Sequence, residues 1–182
     1  MDYARFKLVW AACAAGLLTS GPALAATQGS LGSTSTGSIS IDASVPTRVE
    51  LTGLTDVSFA NQDPSTPASN AQNVCVWSNT STRGYNVTAS GSGAASAFTL
   101  ANGALSVPYT VEWAASTGQS SGTALASGSA LTGLQSTATN ATCSSGPSST
   151  ASLVVKISSA DLQSMEAAAT YTGTLTLVVA PE

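Results

Sequence analysis

The chain has 182 residues, 43% of them apolar and 8% charged, with no histidine and with 30 serines and 24 threonines. That length suits one domain with an extension. The missing histidines remove the usual general base, the Ser-His and Cys-His nucleophile pairs and the His-containing zinc sites, so the reading is a non-enzyme without cofactor or metal. Five basic against nine acidic residues give a formal charge of −4, which opposes the phosphate neutralisation that nucleic-acid binding needs.

In chain order, residues 1–25 read as a signal peptide. Arg5 and Lys7 form the cationic start, Leu8 to Leu18 the apolar stretch, and Ala23-Leu24-Ala25 an A-x-A cleavage pattern. The apolar stretch is far shorter than the roughly 20 residues of a membrane-spanning helix, which predicts export and not anchoring. Beyond it, Arg48, Arg83 and Lys156 face eight acidic residues, so the mature chain carries about −5 and must wet its surface with Ser, Thr, Asn and Gly.

Residues 26–47 are expected to form a linker and a strand on a tether. A Gly/Ser/Thr leader, apolar only at Leu31, runs into Ser38-Ile39-Ser40-Ile41-Asp42-Ala43-Ser44-Val45-Pro46. Ile39, Ile41, Ala43 and Val45 alternate with polar residues, the period of a half-buried strand. Pro46 ends it as a hinge, because proline cannot donate to a ladder and biases its predecessor toward extended geometry. Two pairings are open to this strand. It is either the first strand of its own sandwich or an added strand that completes a neighbouring subunit.

Residues 48–182 then alternate repeatedly. Val49 and Leu51, Val74 to Trp77, Tyr85 to Ala89, Val107 to Trp113, Leu153 to Ile157 and Leu175 to Val179 each read as a strand. Turn clusters fall at 61–70, 90–95, 118–122 and 144–149, and helical spacing appears only over 159–168, with Ser159 as the expected cap. Short strands at this spacing predict an all-β, immunoglobulin-like antiparallel sandwich. Cys75 and Cys143 are the one pair left after processing, and in an oxidising compartment they predict a disulfide, worth about 4 kcal/mol in the chain-entropy account. Trp77 and Trp113 are expected to be mostly buried. Exposed instead, they would favour the alternative of a secreted carbohydrate-binding or adhesin module. Asp56, Asp63, Glu112 and Asp161 form no recognisable acid–base pair, which leaves a hydrolase unsupported.

Several motifs together resemble the pilin subunits of chaperone–usher fimbriae, most closely the alternate, colonisation-factor-antigen-like class, with a looser likeness to spore coat protein U domains. They are the strand Ser38 to Pro46 with Val49-Glu50-Leu51 after it, Pro108-Tyr109-Thr110-Val111-Glu112-Trp113, Leu153 to Ser158, and Tyr171 to Leu177. Two features depart from that class: the cysteine pair, and a last strand lacking a penultimate aromatic. The resemblance implies an incomplete sandwich completed by donor-strand exchange, with Ile39, Ile41, Ala43 and Val45 as donor residues and Pro46 as hinge. It further implies a periplasmic chaperone, an outer-membrane usher, self-polymerisation into a cell-surface fimbria that supports adhesion, and a host or surface receptor as a further candidate partner.

Overall fold

The computed structural model describes residues 26–182, so the signal-peptide expectation lies outside the described residues. The chain divides after Val45, and Pro46–Glu182 is a compact unit of its own. It is an all-β sandwich of antiparallel strands.

One layer has the order β1-β2-β9-β6-β7, built from β1 (Val49–Thr52), β2 (Ala68–Ser78), β9 (Ala151–Ile157), β6 (Thr110–Ala114) and β7 (Thr123–Ala124). The facing layer is β10-β3-β8, from β10 (Leu175–Pro181), β3 (Gly84–Gly91) and β8 (Ala130–Gln135). A separate hairpin joins β4 (Thr99–Asn102) to β5 (Leu105–Pro108). The layers close over one core in which Val74 and Val76 of β2, Val111 and Trp113 of β6, and Leu153, Val155 and Ile157 of β9 meet Tyr85, Val87 and Ala89 of β3. Alternation explains the choice, since each of these sets is spaced by two and shares one face. Trp113 donates its indole N–H to the Tyr85 hydroxyl at 3.2 Å across the layers, which satisfies a donor that burial would otherwise strand.

Three differences from the expected elements have local causes. The run Val107 to Trp113 is two strands, because Pro108 offers no N–H. β5 pairs with β4, whereas β6 pairs with β9. β2 begins at Ala68, inside the expected 61–70 turn, and serves two partners: β9 along Ala68–Val74 and β1 along Cys75–Ser78. Where β9 has ended, Thr150 continues its ladder with a side chain. Its hydroxyl accepts from the Val76 N–H at 2.9 Å and donates to the Val76 carbonyl at 3.0 Å, both buried. The helical turn is α1 (Ser159–Gln163), capped by Ser158 and not Ser159: the Ser158 hydroxyl accepts from the Asp161 N–H at 3.1 Å.

β4 and β8 had no clear alternating signal. In β8 the core-facing leucines, Leu131 and Leu134, lie three apart, a helix-like spacing. The register against β3 slips between Tyr85 and Val87, and Gly133 in β8 adopts φ +72°, so a bulge takes up the extra residue and turns both leucines inward.

Candidate functional site

Cys75 and Cys143 are bonded, with Cα atoms 6.1 Å apart. The staple sits on the outer side of the β2 layer, in a small cluster of its own with Ala138, and Trp77 packs against it. Both cysteines are buried. Trp113 is fully buried as expected. Trp77 is mostly covered too but less deeply, because Val74 and Val76 take the inward positions of β2 and alternation therefore sends Cys75 and Trp77 outward.

The second feature is an unsealed side of the sandwich. β1 is an edge of one layer, β10 is an edge of the other, and the two strands lie near each other. Their inward residues are Val49 and Leu51 on β1 and Leu175, Leu177 and Val179 on β10. All five reach the core yet remain half-buried, unlike the fully covered valines of β2 and β3. β10 is bonded to β3 along its whole length, with Leu177 opposite Ala89 and Val179 opposite Val87, and no strand borders its other edge among the described residues. An edge of this kind offers a row of unpaired backbone groups beside an apolar strip.

The third feature is the segment before Pro46. Residues 26–45 are exposed throughout, and their one ladder contact among the described residues is a two-bond bridge between Thr27 and Ser38, each bond 2.9 Å. Among the described residues, 39–45 have no ladder partner, so the apolar side that alternation creates stands open in the single chain. Ile39, Ile41 and Val45 are 72%, 82% and 84% exposed, and Ala43 is exposed with them. Pro46 belongs to the sandwich unit, where its carbonyl accepts from the Asn79 amide at 2.9 Å.

The Glu112 carboxylate and the Tyr85 hydroxyl have structural partners. Lys156 bonds both carboxylate oxygens of Glu112 at 2.8 Å, and Glu112 also accepts from the Gly122 N–H. The Lys156 bond, chiefly, holds the Glu112 carboxyl below the usual glutamate range. Burial pushes the Tyr85 and Tyr109 phenols up, and the Tyr109 hydroxyl has no hydrogen-bond partner among the described residues. Among the described residues no group of three or more His, Cys, Asp or Glu side chains could hold a metal ion, and no helix is long and apolar enough to cross a membrane.

These features define an all-β sandwich, stapled by one disulfide and open along one edge. Comparison with protein families finds no match to this sequence, and comparison with curated proteins finds none either. Among solved structures the chain is similar to one chain of a structure described as "Chaperone-tip adhesin complex is vital for synergistic activation of CFA/I fimbriae biogenesis". The identity is 16% and the TM-score 0.47, over 75% of this chain and 41% of that one. This chain therefore spans about two fifths of that chain's length, and at that TM-score the likeness carries no further argument.

Proposed function

We propose that the protein is a structural subunit of a cell-surface fimbria that polymerises by donating residues 38–45 to the open edge of another copy. The observation that carries this reading is the exposure of Ile39, Ile41 and Val45, an alternating apolar row without a covering strand. A row of this kind in water is unfavourable, and burying each of its large members contributes roughly 1.5–3 kcal/mol before ordering costs. The half-buried residues of β1 and β10 supply a complementary strip in the same sequence, and the free edge of β10 offers a ladder partner. Strand addition satisfies both at once, with backbone bonds setting direction and side chains setting register. A slip of one residue would drive Asp42 inward, an expensive register.

Export through the periplasm follows from the signal pattern and agrees with a disulfide in an oxidising compartment. A subunit with an open edge needs a cap until its neighbour arrives, which is the role of a periplasmic chaperone, with an outer-membrane usher joining subunits in order. The sequence motifs shared with alternate chaperone–usher pilins support the same assignment, and the function is non-enzymatic. The test is expression of the full chain, with its assembly apparatus, followed by electrophoresis of surface material without heating. A ladder of multimers that collapses on boiling is expected, and the Ile41→Asp chain should give monomer only. Multimers of equal stability from Ile41→Asp would overturn the proposal.

A further inference from the structure

We propose that the outer face formed by β1 and the second half of β2 binds a neutral saccharide, with Trp77 as its stacking surface. The register puts Glu50 directly opposite Trp77, and Thr52 opposite Cys75. One step outward, the Asn79 N–H donates to the Arg48 carbonyl and the Arg48 N–H donates to the Asn79 side chain, which pairs these two as well. Val49 and Leu51 point to the core, so alternation puts Arg48 and Glu50 on the same outward face as Trp77. An indole, a carboxylate and a guanidinium are thus carried on one outward face.

None of the three is consumed by the fold. Among the described residues the Glu50 carboxylate and the Arg48 guanidinium make no hydrogen bond or ion pair; the ion pair found is Lys156 with Glu112. The Trp77 indole N–H likewise has no partner there. Trp77 packs against the disulfide cluster and keeps part of its surface exposed. The Asn79 side chain, by contrast, is already occupied on both atoms, which stiffens the strand ends beneath the patch.

The chemistry selects the ligand. Glu50 disfavours an anion, and Arg48 disfavours a cation that an indole and a carboxylate would otherwise attract. A molecule without net charge, able to donate to a carboxylate and accept from a guanidinium while laying an apolar ring face on indole, fits all three. A pyranose has C–H groups on one face and hydroxyls around its rim, each hydroxyl both a donor and an acceptor. The site lies on the β1–β2 outer face and not on the apolar strip of β1 and β10, so its occupation does not depend on polymerisation.

The test is a 15N NMR titration of the protein with the methyl glycosides of glucose, galactose, mannose, N-acetylglucosamine and fucose, and with tetramethylammonium chloride. Saturable movement of the Trp77 indole N–H signal by at least one glycoside is expected, with the Trp113 signal unmoved. Glu50→Gln and Arg48→Gln, both surface changes that keep the remaining spectrum, should each weaken binding about tenfold, equivalent to about 1.4 kcal/mol. No shift with any glycoside up to about 50 mM, beyond even weak millimolar affinity, would overturn the proposal. So would a response to tetramethylammonium alone, or glycoside binding that both variants retain.

Discussion

At the scale of single residues, the sandwich depends on a few polar side chains that stand in for missing backbone bonds. Thr150 is the clearest. Thr150→Val keeps the shape but leaves the buried Val76 N–H without its acceptor, so a loss of about 1–3 kcal/mol is expected by urea denaturation. Ser136 also donates to the Val76 carbonyl, which keeps the loss from being larger. Two of the core tyrosines, Tyr85 and Tyr109, set an alkaline limit. Their phenols are raised by burial, so the stabilisation they provide is complete below the usual tyrosine value of about 10 and is lost as pH rises through their higher folded values. Absorbance titration at 295 nm should show both ionising late, together with unfolding. Glu112 acts in the opposite direction. Its depressed carboxyl stabilises above the unfolded glutamate value and that support is lost as pH falls below it, modestly because the pair with Lys156 is partly open to solvent.

At the scale of elements, the disulfide and the tethered segment make opposite demands on the chain. The Cys75–Cys143 bridge pins the loop between β8 and β9 to the second half of β2, where no ladder from β9 reaches. Cys75→Ser together with Cys143→Ser should lower the thermal midpoint with the strand content unchanged in circular dichroism, by an amount that corresponds to at most about 4 kcal/mol. The segment at 39–45 has no such ties. Ile41→Asp there should leave the melting temperature of the isolated chain within a degree or so, because Ile41 is exposed in it, and should act on assembly alone. Ser40→Ala, on the polar side of the same strand, should alter neither.

At the scale of the molecule, two apolar features lack a covering strand among the described residues: the row before Pro46, and the strip between β1 and β10. If the first fills the second in another copy, removal of residues 26–45 should yield a domain that accepts a synthetic peptide spanning 38–46 and melts at a higher temperature with it. The gain should follow RT ln(1 + [L]/Kd), about 2.7 kcal/mol at a hundredfold excess over Kd. A peptide carrying Asp in place of Ile41 should give no gain.

The sequence by itself determined the class of fold, most of the strands and the disulfide, because these rest on local or exclusive signals. Period-two alternation at Tyr85 to Ala89, Leu153 to Ile157 and Leu175 to Val179 admits few structures other than a half-covered strand, and Cys75 and Cys143, the two cysteines outside the signal-like stretch, admit one bridge. Pairing was not legible, since which edges meet depends on contacts far apart in the chain. Only the tertiary structure split Val107 to Trp113 between two sheets at Pro108, and only it absorbed the Leu131 to Leu134 spacing in a bulge. It also decided the two tryptophans, identical in local pattern. Trp113 shares a face with Val111 and turns into the core, whereas Trp77 shares a face with Cys75, and a cysteine reads equally well as core or as outer staple until the position of its partner is known.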